Sequence, residues 1–282
     1  MTDRTFGTRV RDMIAERGRL CVGIDPHAEL LESWGLEQSA AGVREFGLRV
    51  VEATADRAGI VKPQVSFFER FGATGFAALE DVIRAARDAG LVVIADAKRG
   101  DIGTTTTGYA QAWLEPGAPL ESDALTVNPY LGVGALAPAF ETAQQHGKGL
   151  FVLAATSNPE AVALQNARAA SGRSVSAEVI AEVSAFNAAH TPGGAWGSMG
   201  FVMGATVDLA ARGIADAMTP PAPILAPGFG AQGARPEDVG DIFGALAPTV
   251  IAAESRGILR AGPDGIAAAI RTRIEELEVA RG

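Results

Sequence analysis

The 282-residue chain has one cysteine, three histidines and two tyrosines, and these scarcities exclude whole classes of function. With Cys21 alone, neither an intrachain disulfide nor a cysteine-based zinc site can form, and a reducing compartment is the expected setting. His27, His146 and His190 are scattered without the spacing of metal ligands, and Trp34, Trp113 and Trp196 form no aromatic ladder. Positive charge is in deficit: 24 Lys and Arg against 33 Asp and Glu leave a formal charge of −9. A nucleic-acid surface needs a basic stripe to displace counterions from phosphates, so nucleic acid is not an expected partner. Any anionic ligand must be held by a local pocket. Long apolar runs are also missing, because Gly, Pro or charge breaks every such stretch before it could cross a bilayer. The first segment, MTDRTFGTRVRDMIAERGR, is charged throughout and has no signal-peptide core. The expectation is a soluble, cytoplasmic protein with no membrane partner.

Short Val-, Ile- and Leu-rich runs recur instead, at 20–25, 59–64, 91–98, 123–128, 149–155, 199–204, 222–227 and 249–254. Between them lie longer amphipathic segments, such as 40–58, 75–90 and 263–280, with apolar residues at helical spacing. Continuous apolar strands alternating with helices predict a parallel sheet covered by helices. Eight strands in this length predict an α/β chain closed as a (β/α)8 TIM barrel, with a doubly wound open sheet as the alternative. No linker or low-complexity tract divides residues 1–282, so one domain is expected, with a lid or insertion at about 156–198.

Polar residues gather where these strands end. Asp25 closes the first run, Lys62 sits late in the second, and Asp96 and Lys98 close the third. Asn128, Thr156, Ser157, Ser255 and Arg256 follow later runs. In a parallel barrel these ends share one face, where the βα loops build the active site. Alternation puts Val92, Ile94, Asp96 and Lys98 on one side of the third strand, with the upper two at the barrel mouth. Asp101, after the flexible Gly100, can return a second carboxylate to the same region, and each carboxylate favours the ammonium form of a lysine between them. Two other readings of Asp-x-Lys-x-x-Asp remain open at this point: a structural ion-pair cluster, and a Mg²⁺ site, which the intervening ammonium opposes. Thr104 to Thr107 are expected to start a helix and cap its free N–H groups, and Thr105 could also meet a ligand.

Gly228-Phe-Gly-Ala-Gln-Gly233 satisfies G-x-G-x-x-G. It follows the seventh strand rather than the first, and Pro236 delays any helix, which argues against a dinucleotide fingerprint. A Gly-rich loop after strand seven, joined by the loop after strand eight, commonly cradles phosphate in a barrel. Residues 228–233, with Gly230 and Gln232, and 255–257, with Arg256 and Gly257, are therefore read as a phosphate grip, Arg256 adding a bidentate contact.

With VGIDP, VKPQVSFFE, DAKRGDIGTT, APGFGAQG and ESRGIL in this order, the chain resembles the orotidine 5′-phosphate decarboxylase family in its longer bacterial branch, from about residue 20 to 260. The resemblance implies a TIM barrel, usually a homodimer, that converts orotidine 5′-monophosphate to uridine 5′-monophosphate and CO₂ without metal or organic cofactor. It makes Lys98 the proton donor to C6 and Asp96 the carboxylate near the departing group. It also makes Asp101 and Thr105 contributors to the neighbouring subunit's site, and Asp25 and Lys62 the ribose contacts. Ser157, beside Thr156, becomes the pyrimidine contact, and Gln232 and Arg256 become phosphate ligands. One departure stands out: the arginine often follows glycine in the family and here follows Ser255. The rival readings are a Mg²⁺-dependent hexulose-phosphate synthase or related lyase, and a catalytically silent ligand sensor.

Overall fold

A computed structural model describes residues 4–214 and 218–279. Eight strands, β1 (Leu20–Ile24), β2 (Ile60–Pro63), β3 (Val92–Arg99), β4 (Ala124–Val127), β5 (Gly149–Ala155), β6 (Met199–Met203), β7 (Ile224–Pro227) and β8 (Val250–Glu254), close into a barrel in sequence order. Every pairing is parallel, and β1 meets β8 through Leu20↔Ala252, Cys21↔Ala253 and Val22↔Glu254. The eight predicted runs coincide with the eight strands to within two residues at either end, because strands buried on both faces read as unbroken apolar sequence. The predicted helices form at Ala40–Ala55, Gly72–Asp88 and Gly262–Val279.

Alternation along the strands separates two cores. Val93, Ala95, Leu125, Leu150 and Val152 point outward into the layer beneath the helices. Cys21, Ile60, Val92, Ile94, Ala124, Phe151, Val202, Leu225 and Ile251 point inward and fill the barrel. The inner core is completed by the helix Phe6–Arg17, whose Phe6, Val10 and Ile14 pack on it. Phe6 meets Phe151 edge to face at 6.0 Å, and a Cβ on Gly149 would lie 2.1 Å from the Phe6 ring, so that glycine admits the plug. Each such side chain contributes about 1.5–3 kcal/mol on burial. One end of the barrel is thus sealed with hydrocarbon, and polar chemistry is confined to the other.

Within 156–198, Val175–His190 is the barrel helix between β5 and β6, capped by Ser174, whose Oγ accepts from Ala177 N at 3.0 Å. The excursion proper is the stretch before it, which carries the short helix Ala161–Gln165. The four threonines do lie in a helix, Gly103–Leu114, but its N-cap is Ile102 and makes no side-chain capping bond. The predicted threonine cap is therefore absent: Gly103 starts the helix at φ +54°, before any threonine reaches the cap position.

Candidate active site

On β3 the inward row runs from Val92 and Ile94 in the core up to Asp96. There the register with β4 shifts between Ala95 and Arg99, and Lys98 takes φ +48°, the only described non-glycine residue with positive φ. Such backbone costs about 1–3 kcal/mol in a non-glycine residue and persists only when neighbours fix it. Thr126 on β4 does so: its Oγ1 accepts from Lys98 N at 2.9 Å and donates to Asp96 Oδ1 at 3.0 Å. The turned backbone aims Lys98 Nζ back at Asp96 Oδ1, 2.5 Å away, while Lys62 Nζ from β2 donates to Asp96 Oδ2 at 2.8 Å. Gln64 Nε2 adds a 3.3 Å contact to the Asp96 carbonyl.

Electrostatics follow from that geometry. Asp96 and Lys62 are each only 7% exposed. Burial works against the Asp96 carboxylate, but Lys62 and then Lys98 outweigh it and hold the group well below the usual carboxylate range. Burial likewise works against the Lys62 ammonium, and Asp96 and Asp25 reverse this, raising it above its ordinary value. Just below, burial pushes the Cys21 thiol up to about 12, which Lys62 offsets in part, so Cys21 is a core residue.

These groups open onto a cavity of about 340 Å³ at the C-terminal ends of the strands, a size suited to a small ligand. Asp25, Lys62, Asp96, Lys98, Thr156, Ser157, Gln232 and Arg256 all line it. Asp25 Oδ1 is buried there with no hydrogen-bond partner among the described residues, an acceptor open to a donor. Thr156 Oγ1 is engaged, donating to Asn158 Oδ1 and accepting from Gln165 Nε2, which leaves the Ser157 hydroxyl as the freer of the two.

Opposite the lysines, β7 leads into Gly228 at φ +127° and the 3₁₀ turn Gly230–Gln232, not into the long helix of a dinucleotide site. Gly230 N donates to Ala234 O at 2.9 Å, so that glycine shapes the loop and is not itself a donor to a ligand. Its φ of +66° and the close approach of Glu254 explain why it is glycine: a Cβ would lie 2.2 Å from Glu254 Oε1. A Cβ on Gly257 would lie 2.0 Å from the same oxygen. Arg256 opens the short helix Arg256–Leu259 and has no carboxylate partner among the described residues. The Ser255 hydroxyl, buried and unpartnered among the described residues, also lines the cavity.

Asp101 and Thr105 are not brought to this cavity. Asp101 Oδ1 accepts from Ile102 N at 2.9 Å, and Thr105 is exposed. The expectation that Lys98 would sit between two carboxylates of its own chain is therefore corrected to one, Asp96. Strand β3 ends at Arg99, and Asp101 just beyond it is not among the residues that line the cavity. Sequence reasoning missed Thr126, Gln64 and Glu254, whereas Ser255 was among the strand-end residues it named. Parity alone could have found the first two, since Thr126 follows inward Ala124 and Gln64 follows Lys62 by two positions.

Known proteins resemble this chain over most of its length. Residues 18–271 match the model of the orotidine 5′-phosphate decarboxylase / HUMPS family. An orotidine 5′-phosphate decarboxylase of Salinispora tropica is 52% identical over 263 residues, covering 93% of this chain and 92% of that protein. One from Streptomyces coelicolor is 51% identical, covering 97% and 96%. The crystal structure of a Streptomyces avermitilis protein assigned as orotidine 5′-phosphate decarboxylase superposes with a TM-score of 0.93 at 48% identity, covering 99% of this chain and 97% of that one. With a closed parallel barrel, a Lys-Asp-Lys set at its mouth and about half of its residues shared with these relatives, the chain belongs to the orotidine 5′-phosphate decarboxylase / HUMPS family.

Proposed function

We infer that the chain decarboxylates orotidine 5′-monophosphate to uridine 5′-monophosphate and CO₂, the last step of de novo pyrimidine nucleotide synthesis. Relatives about 50% identical over more than nine-tenths of its length carry that activity in their names. The observation that carries the mechanism is the Lys62–Asp96–Lys98 set, with Lys98 projecting into the cavity from a backbone turned to aim it.

In this reading the C6–carboxylate bond breaks, its electron pair stays on C6, and CO₂ leaves. No ring π-system takes up that pair, so fixed charge must stabilise it. The Lys98 ammonium offsets the growing negative charge at C6 and then transfers a proton to it; solvent afterwards returns the proton to Lys98. Asp96, held by both lysines, orients Lys98 and places a negative charge beside the departing carboxylate. Both of its oxygens face ammonium groups, which is a poor arrangement for a metal ligand and supports a cofactor-free route.

The rest of the cavity matches the rest of the substrate. Asp25, with its unpartnered Oδ1, and Lys62 suit the ribose hydroxyls. Ser157 suits the pyrimidine, and Gln232 and Arg256 suit the phosphate, Gly230 and Gly257 letting the two loops close around Glu254. Asp101 and Thr105, outside the cavity lining, and the exposed Ile102, Tyr130 and Leu131 suit a homodimer in which a second copy covers such apolar side chains and receives both polar residues at its own site. The whole chain is read as one domain, with the stretch before Val175 as the lid. No described helix is long and apolar enough to span a membrane, and the free, buried Cys21 suits the cytoplasm.

The test is the ultraviolet absorbance of orotidine 5′-monophosphate mixed with the protein, with and without EDTA, beside Lys98→Ala. Chelator-insensitive conversion is expected, with the variant folded and slower by at least about 10⁴-fold. Near-parental turnover by Lys98→Ala would remove Lys98 from the mechanism, and loss of activity on chelation would favour the metal-dependent synthase.

A further inference from the structure

Between β5 and the helix Val175–His190 the chain makes an excursion that apolar burial does not hold. Its short helix, Ala161–Gln165, has no buried residue, and Val162 and Leu164 are 45% and 49% exposed. What ties it down is polar. Gln165 Oε1 accepts from Thr156 N at 3.0 Å and from Arg212 Nη1, while Gln165 Nε2 donates to Thr156 Oγ1 at 2.9 Å. Arg212 Nη2 donates to Thr156 O at 3.2 Å. The N–H, carbonyl and hydroxyl of Thr156 are thus all held by these two residues.

Arg212 is an unusual choice if the purpose is stability alone. It is only 6% exposed, burial lowers the affinity of its guanidinium for its proton, and among the described residues the oxygens that accept from its fork belong to an amide and a carbonyl rather than a carboxylate. Hydrocarbon of the same volume would fill the space at less desolvation cost. A planar fork held by several oxygens, by contrast, fixes direction as well as distance. The fork is itself anchored to the barrel, because Ser174 Oγ donates to Arg212 O while capping Val175–His190, and Gly204 N at the end of β6 donates to Ala155 O at 2.8 Å. Thr156, Ser157 and Asn158 form one edge of the substrate cavity.

We propose that Gln165 and Arg212 are positioning residues that latch the Thr156–Ser157 edge of the cavity against the substrate's base. The inference rests on the decarboxylase reading, which puts the pyrimidine at this edge and the phosphate at the far one. Neither residue touches the substrate. They act through Thr156, and the excursion opens by breaking this small set of bonds rather than by unpacking a core.

The experiment compares Gln165→Leu, which keeps the volume and removes the bonds, with Gln165→Glu, which keeps an acceptor for Thr156 N and Arg212. Affinities for uridine 5′-monophosphate and for ribose 5-phosphate, which lacks the base, are measured by calorimetry alongside parental turnover. Gln165→Leu is expected to weaken the nucleotide about tenfold and the sugar phosphate by less than about twofold, the loss of a few buried hydrogen bonds read at one end of the site. Gln165→Glu is expected to recover most of that loss. Equal weakening of both ligands would mean a merely structural role, and unchanged nucleotide affinity would remove the latch. If the parent neither turned over substrate nor bound the nucleotide, the reading of the site would fall and the latch with it. Parental turnover beside an unchanged variant would sink the latch alone.

Discussion

Replacing Lys62 with methionine removes one of the two ammonium groups that keep Asp96 ionised inside the barrel, while keeping the aliphatic stem. Removing one partner of a buried ion pair costs about 3–5 kcal/mol, because it leaves the other charge buried and uncompensated. Here the lower end applies, since Lys98 at 2.5 Å and Thr126 at 3.0 Å still face Asp96 Oδ1. A loss of about 3 kcal/mol is therefore expected near neutral pH. The sign of its pH dependence is fixed by the two shifts. Asp96 is depressed in the folded protein, so its contribution is present above its unfolded value, about 3.9, and fades as the solution is acidified below that. Lys62 is raised, so its contribution is fully present below its unfolded value, about 10.4, and is lost only in stronger alkali. The gap between parent and variant should accordingly be flat from about pH 5 to 9 and shrink below about pH 4. Urea unfolding followed by tryptophan fluorescence across that range reads it directly. A gap under about 1 kcal/mol at pH 7, or one that widens in acid, would refute the argument that Lys62 is what keeps Asp96 charged.

Arg256→Ala should raise KM for orotidine 5′-monophosphate by about 10- to 100-fold, the loss of a charge-assisted bidentate contact, and lower kcat/KM, with partial rescue by added guanidinium. Unchanged KM in steady-state kinetics would contradict the phosphate assignment. Mixing inactive Lys98→Ala with inactive Asp101→Ala tests the shared site: each mixed dimer then holds one site with both native residues, so random reassortment should restore about one quarter of parental activity. No recovery after verified subunit exchange would return Asp101 to its own chain's chemistry.

The barrel was legible because its strands are buried on both faces, which leaves unbroken apolar runs, and parity on β3 correctly set Val92 and Ile94 inside and Val93 and Ala95 outside. The plug helix was not, because Phe6, Val10 and Ile14 are spaced among charged residues and nothing local says what they cover. Lys98 escaped simple alternation, since a residue at φ +48° is held by Thr126, 28 positions further on. Asp101 shows the converse error: nearness in sequence suggested nearness to Lys98, but the strand ends at Arg99 and the Asp101 carboxylate accepts from Ile102 N instead. The Gln165–Arg212 contact spans 47 positions and involves neither periodicity nor motif, so only tertiary structure reveals it.

The formal charges lining the reacting end, two lysines with Asp96 and Asp25, sum to zero. A substrate carboxylate entering there gains no attraction from net charge, and it approaches Asp96, whose partners are already engaged. Decarboxylation replaces one negative charge by another nearby, on C6, so the site can favour the transition state only by where its charges stand. Lys98, projecting into the cavity on a strained backbone, is the group whose position can make that distinction. Binding energy must then come from the remote end, where Arg256 has no carboxylate partner among the described residues. In the proposed mechanism, interactions with the phosphate would hold the carboxylate in a place it does not otherwise favour, and relief of that placement as CO₂ departs would lower the barrier. For this reason removing Arg256 should impair kcat/KM and not merely occupancy, even though the guanidinium never meets the bond that breaks.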